Sequence, residues 1–431
     1  MARLAGPAIA QQLLHTLVFL ADRAMLGRYG DDALASMQLS GPIVWAVYSV
    51  LGSFTVGSVA LIGRRIGAGD PRSASAALRA SLAFALALGA AVAVVGAPST
   101  DLIVGVFGGG PGVRNAASAY LAISFAAMPL ILISYTSAVC LQAAGDTRTP
   151  FLIAALGNVV NVALNAILIF GGFGIPALGA AGAAGASAAA MIWQCIALLW
   201  VLGRHRRLSW RGRGGERDAW RAMVRVSTAS LAERVLQHVG FLSFVGMIAA
   251  LGATAMAANQ ALISVESVVF LSGDGFGIAA AAIVAQRLGA EKREEARAGL
   301  RAALKLTLVA LSVASLVFVL APRPLLQLFS PDPEIIALGV PCMWVAALAA
   351  PFMGAGIVMS AALRGAGDTR TALGVMVLSG LGVRLGATYL FAFHWEMGLL
   401  GVWLGSTTDW IVRTILLGAR VARDGWTRIA L

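Results

Sequence analysis

"LQAAGDTRTP" at 141–150 and "LRGAGDTRTA" at 363–372 are one polar turn written twice, 222 residues apart in a chain of 431. Seven of the first nine positions agree. At the same shift "IGAGDPRSASAALRA" (66–80) falls on "LGAEKREEARAGLRA" (288–302), sharing Gly-Ala and the closing Leu-Arg-Ala. "LADR" (20–23) and "LAER" (231–234) give a third echo at a slightly different shift. The chain therefore reads as two tandem halves.

Around these turns the sequence is apolar, with 59% hydrophobic and only 12% charged residues. A soluble domain carries about 25% charge. Continuous apolar runs of roughly 20 residues, each the thickness of a bilayer core as a helix, recur along the chain. Their continuity argues against a barrel, whose strands alternate, and a helix satisfies its own backbone groups in lipid. Breakers divide the chain into twelve spans: Pro7–Leu26, Pro42–Ile62, Ala74–Ala97, Tyr120–Cys140, Pro150–Phe170, Ala177–Leu202, Val226–Ala250, Thr254–Val284, Ala302–Leu320, Pro341–Leu363, Thr371–Phe393 and Gly401–Val421. The expected fold is an all-α membrane protein of twelve transmembrane helices in two six-helix lobes. An even number of spans per half makes the repeat parallel, with a pseudo-two-fold axis along the membrane normal. The expected division is an N-terminal lobe at 1–203, a basic cytoplasmic linker at 204–225 and a C-terminal lobe at 226–431.

Charge sets the expected orientation. Of the 32 Lys and Arg, 26 fall on one side of such a topology and only Arg28, Arg114 and Arg323 on the other. By the positive-inside rule both termini are cytoplasmic and the chain is a multi-pass protein of the cytoplasmic membrane. The net charge of +12 is accounted for by topology, and the basic stretch "RHRRLSWRGRGGERDAWR" (204–221) reads as linker, with no nucleic-acid partner. The N-terminus, with one Arg and glutamines in its apolar run, is a first span and not a cleaved signal. Cys140, Cys195 and Cys342 lie in apolar stretches without disulfide or zinc spacing. No phosphate-binding lysine loop, His/Cys cluster or serine triad is legible, so neither an enzyme nor a cofactor is expected.

The repeated GDTRT has a structural explanation. Gly ends one helix, Thr149 can cap the next, and Pro150 suits a first turn. Chemistry is sought instead among charges within the spans, each costing roughly 2.5–3.5 kcal/mol at mid-bilayer. These are Asp22, Glu233, Glu266, Asp274 and Asp409, with Arg23, Arg234 and Arg384. Gln11, His15, Val18 and Asp22 share one helical face, as do Asn158, Asn161 and Asn165. A carboxylate among amide and hydroxyl oxygens can hold Na⁺, or, desolvated, exchange a proton. The structural alternative for Asp22 is an ion pair with Arg23 or Arg234. Ser230, Glu233 and Gln237 share a face of the seventh span, and Asn259 and Glu266 one of the eighth. Asp409 and Arg413, four apart, suggest a local pair.

Two GDTRT turns, "LADRAMLGRYGDDALASMQLS" (20–40), "GNVVNVALNAILIFGGFGIPALGAAGAAGAS" (157–187) and "AANQALISVESVVFLSGDGFGIAAAAIVAQRLGA" (257–290) together resemble the multidrug and toxic compound extrusion (MATE) family over essentially the whole chain. The resemblance implies a two-lobed exporter of organic, cationic or amphipathic compounds, driven by inward Na⁺ or H⁺. It implies a cation-coupling site at Asp22, Asn161, Asn165 and Ser187, with Tyr120 a weaker match, Asp22 being where Na⁺ would bind. This pattern is closer to the DNA-damage-inducible and archaeal branch than to the NorM-type branch, although Asn165 stands where that branch often has a second Asp. The tenth span has no acid and Gln237 takes the approximate place of an acid, so a NorM-type cation site is incomplete. Gln11, His15, Glu233, Gln237 and Glu266 are candidates for the substrate cavity. The partners implied are small organic substrates and the lipid bilayer, and the chain is expected to be a monomer. The rival reading is a flippase for lipid-linked saccharides or other lipids, which would need a cationic cavity and often extra spans.

Overall fold

The computed structural model describes residues 2–107, 110–172, 174–212 and 214–429, without the side chains of 2–5, 12–13, 15–17, 19–20 and 31. Twelve helical spans follow one another: α1 Ala2–Tyr29, α2 Asp32–Gly67, α3 Pro71–Val106, α4 Pro111–Ala126 with Met128–Ala143, α5 Arg148–Phe170 and α6 Gly179–Arg204, then α7 Glu216–Ala249, α8 Ala253–Gly289, α9 Arg293–Leu320, α10 Pro333–Gly365, α11 Thr369–His394 and α12 Gly398–Ala422. A short helix, Pro322–Gln327, lies between α9 and α10. Among the described residues there is no strand, only an isolated bridge between Gly172 and Ile175. Several helices overrun the expected spans. α7 starts ten residues before Val226 and so takes in half of the segment 204–225. α8, at 37 residues, is about 55 Å long, well beyond a bilayer core.

Composition explains the interruptions. α4 bends by 54° at Ala127, because Pro129 removes a backbone donor in the following turn. α2 loosens where Ser53 and Thr55 turn their hydroxyls back onto the carbonyls of Val50 and Gly52. α11 widens into π-helix at Met376–Val383 and again at Leu390–His394. Its repeat partner α5 stays regular.

The repeated turns share one geometry. Gly145 and Gly367 sit at φ +95° and +91°, the left-handed conformation that closes a helix. The following N–H of Asp146 or Asp368 reaches back to Leu141 O (2.9 Å) or Leu363 O (2.8 Å). The acid then starts the next helix, accepting from the Thr149 hydroxyl (2.6 Å) or the Thr371 hydroxyl (2.7 Å). In the first copy the cap is therefore Asp146, which also accepts from the N–H groups of Arg148 and Thr149, and not Thr149 as expected; Asp368 makes no such backbone bond. The 66–72 turn is built alike. Gly69 is at φ +74°, and two hydrogen bonds from Ser73 hold the Asp70 carboxyl below the usual range. Its counterpart 222 residues on is Glu291, a non-glycine at φ +61°.

The chain forms two compact units, Ala10–Val224 and Arg225–Leu431 with Met1–Ile9. The first is centred on Leu78, Leu121, Met128, Leu132, Leu198 and Leu202, with a smaller cluster of Leu26, Met37, Ile169 and Ala180. The second has cores around Leu262, Met343 and Val402, and around Val284, Val358 and Trp426. Lipid is as apolar as leucine, so close backbone approach between small residues holds helices together. An added Cβ on Gly182 of α6 would lie 2.3 Å from Leu168 O of α5.

Among the described residues, eight helices are long and apolar enough to cross a membrane, nine counting the bent α4. The remaining α1, α7 and α12 carry the charges Asp22 and Arg23, Glu233 and Arg234, and Asp409 and Arg413. The spans least suited to lipid hold five of the eight charges singled out within the spans.

Candidate functional site

The small-residue face of α6 brings Ser187 against α5, where Asn158, Asn161 and Asn165 are all buried. α1 closes the group by presenting Asp22, only 6% exposed. Asn165 Nδ2 donates to Asp22 Oδ1 at 2.5 Å. The Asn161 amide is oriented by its neighbours: its Nδ2 faces Asp22 Oδ1 at 3.2 Å, and its Oδ1 accepts from Ser187 Oγ at 3.1 Å. Tyr120 of α4 is hydrogen-bonded to Ser124 and lies within electrostatic range of the Asp22 carboxylate. Asp22, Asn161, Asn165 and Ser187 thus form one bonded cluster, with Tyr120 at its edge. No salt bridge between Asp22 and Arg23 is present among the described residues, so that expected alternative is not what holds it. Arg234 donates to Gln237 Oε1 at 3.0 Å.

One atom of the cluster is conspicuous. Asn165 Oδ1 is buried and finds no hydrogen-bond partner among the described residues, beside a carboxylate that carries no cationic partner among them. A buried orphan acceptor is costly. The Asp22 carboxylate and Asn165 Oδ1 are hard oxygens of the kind that suit Na⁺, and the carboxylate alone can take a proton, while the two amide N–H groups point at the carboxylate. Among the described residues no group of three or more His, Cys, Asp and Glu suggests another metal.

The described candidate cavity residues are engaged within their own units. Gln11 accepts from Gln142 Nε2 at 3.1 Å, a partner the sequence reading missed. The His15 side chain lies outside the described residues. Glu233 pairs with Arg364 at 2.9 Å, and that guanidinium also holds Ser360 Oγ at 2.9 Å. Glu266 is in electrostatic range of Arg384, and Asp274 of Arg234 and Arg364. Neither Glu233 nor Gln237 is bonded to Glu266 among the described residues.

Asp409, fully buried, is gripped from both sides. Arg413 meets it at 2.9 Å as the spacing suggested, but Arg384 of α11 meets it at 2.9 Å as well. Internal symmetry explains this triad. Gly157 of α5 abuts Gln194 of α6 in the first half, and Gly380 of α11 abuts Arg413 of α12 in the second. α6 and α12 both open on a left-handed glycine, Gly179 (φ +55°) and Gly398 (φ +56°). These landmarks map α6 onto α12 and α5 onto α11, the latter with one residue extra, taken up in the π-helical turns. Asn161 then corresponds to Arg384, Ala190 to Asp409 and Gln194 to Arg413. Gly30 and Gly252, which precede α2 and α8, place Asp22 on Phe244. The Arg384 guanidinium indeed lies 5.5 Å over the Phe244 ring. The LADR/LAER echo is therefore not the structural register. Where the first half sets a carboxylate against neutral amides, the second sets an aromatic ring against a fixed cation.

The MatE family model matches residues 7–167 and 229–390, beginning twice at the 222-residue spacing of the polar turns. The chain belongs to the MatE family. It is 28% identical over 418 residues to a probable multidrug resistance protein NorM of Thermotoga maritima, covering 96% of this chain and 90% of that one. It is 23% identical to the probable multidrug resistance protein YoeA of Bacillus subtilis, over 95% and 90% of the two chains. Among solved structures, a MOP-superfamily transporter from Pyrococcus furiosus superposes with a TM-score of 0.91 at 21% identity, covering 100% of this chain and 96% of that one. This MatE-family chain is accordingly a multi-pass membrane transporter of the twelve-helix, two-lobed fold. The expected nearness to the DNA-damage-inducible and archaeal branch is not supported, because similar relatives carry the NorM name.

Proposed function

We propose that this MatE-family transporter is an antiporter that exports organic, cationic or amphipathic compounds across the cytoplasmic membrane in exchange for H⁺ or Na⁺ taken up at Asp22. The observation that carries this reading is a buried carboxylate without a basic partner among the described residues, held by two amides, beside the orphaned Asn165 Oδ1. A group that serves packing alone would be paired, as Asp409 is. A carboxylate left unneutralised by the protein is where an exchangeable cation gains the most. Ser187 and Asn161 then orient Asn165 and Asp22, while Tyr120 borders the site. The multidrug-resistance names of the relatives support a compound-exporting role. Cation and exported compound must favour opposite states for exchange to run.

The test is dye efflux from proteoliposomes, driven separately by a Na⁺ gradient and a proton gradient, for the parent and Asp22→Asn. Efflux under one gradient that the variant loses supports the reading and names the ion. Efflux unchanged by the variant removes Asp22 from coupling.

A further inference from the structure

A basic depression of about 640 Å³ opens where the first GDTRT turn meets the end of α6. Its walls include Trp200, Arg204, His205, Arg206 and Arg207, with Gly145 and Asp146 opposite. The segment after α6 is not a loose tether. Leu208 is 1% exposed, the Trp210 indole N–H donates back to Leu199 O at 2.7 Å, and Ser209 N is held by Ser75 Oγ at 3.1 Å. That hook fixes the backbone from which three guanidinium side chains project within four residues. Positive charge needed only for topology requires no such geometry. The one acid present, Asp146, is engaged, accepting from the N–H groups of Arg148 and Thr149 and from the Thr149 hydroxyl.

The depression continues into an apolar stripe. Ile192, Ile196 and Trp200 succeed one another at four-residue spacing on α6, exposed by 41%, 64% and 61%. Arg204 follows at the same interval, its guanidinium 4.2 Å over the Trp200 ring. Apolar surface thus runs along a spanning helix to an aromatic interface residue and ends in a cationic cup.

We propose that this is a binding site for an anionic phospholipid. Arg204, Arg206 and Arg207 hold its phosphate, and its acyl chains lie along Trp200, Ile196 and Ile192. Guanidinium forks match phosphate oxygens, and the stripe gives acyl chains a continuous path that a free anion would not use. The site is independent of the exchange assigned to Asp22.

The full chain, delipidated in neutral detergent, is titrated with brominated phosphatidylglycerol or brominated phosphatidylcholine, which quench nearby tryptophan. Subtracting the same titration of Trp200→Phe isolates the Trp200 signal. The glycerol lipid is expected to quench at a mole fraction lower by about five-fold per engaged arginine. In Arg206→Gln/Arg207→Gln, both exposed positions, that preference collapses, and the corresponding Lys variants keep most of it. Equal curves for the two lipids in the parent, or a preference that survives the double Gln variant, would overturn the site. Loss of the preference to excess inorganic phosphate would assign the cup to free phosphate and overturn the lipid reading.

Discussion

Gly182→Ala tests how the first-half site is assembled. The added Cβ would sit 2.3 Å from Leu168 O and 2.6 Å from its carbonyl carbon, both backbone atoms that no rotamer change can clear. A carbon approaches a carbonyl oxygen no closer than about 3.3 Å, so α6 must retreat from α5 by about 1 Å. Ser187 lies five residues on, roughly 7.5 Å along a rigid helix. The retreat stretches its 3.1 Å contact with Asn161 to about 4 Å, past hydrogen-bond range. Alanine returns about 1 kcal/mol of helix propensity, against overpacking of about 1–3 kcal/mol and a lost intramembrane bond of about 0.6 kcal/mol. The net expectation is a loss of about 0.6–2.6 kcal/mol by thermal unfolding in detergent, with efflux impaired as in Ser187→Ala. Gly185→Ala is the control. Its Cβ would meet only Leu168 Cδ1, at 3.8 Å, so stability holds or rises. Equal melting of the two variants, or Gly182→Ala above the parent, would refute the reasoning.

Asp409→Asn leaves Arg384 and Arg413 buried against each other without their carboxylate. Loss of a buried partner costs about 3–5 kcal/mol, so yield and melting temperature should both fall; a loss below about 1 kcal/mol would show that the arginines find other partners. Asp146→Ala removes a cap worth about 1 kcal/mol in thermal unfolding, and no loss would show that the cap is not needed. Asp368→Ala instead releases Arg420, held at 2.7 Å, and the Thr371 hydroxyl. An unchanged melting temperature there would mean that this ion pair adds nothing.

The repeated turn was legible because its residues serve local geometry. Gly145 and Gly367 must be left-handed, and Asp146 and Asp368 each accept from the threonine hydroxyl three residues on, so both copies keep their letters. The apolar runs likewise disclosed the helices, though not their ends, since Glu216–Arg225 of α7 is polar and still helical. The Asp22 cluster was half legible. Spacing put Asn161 and Asn165 on one face, but only packing reveals that they reach Asp22 and not an arginine. The second half misled for a physical reason. A π-helical turn takes up an extra residue without a loop, so a fixed shift slides past Arg384, and an echo three helical turns out of register aligned Glu233 with Asp22. Gln142 and Gln194 gave no sequence signal, because one polar residue in an apolar run does not name its partner.

The guanidinium of Arg384 bears on energetics at the scale of the whole membrane. It occupies in the second half the place of an amide ligand, and a covalently tethered charge cannot be handed from one aqueous phase to the other. If exchange resides at Asp22, one chain then carries one univalent ion per turnover. Export of a singly charged cation would move no net charge, and membrane voltage would drop out of the driving force. The steepest compound gradient would equal the ion gradient itself, tenfold for tenfold. A neutral compound would still draw on the voltage, so the two cargoes should respond differently when valinomycin and potassium clamp the potential.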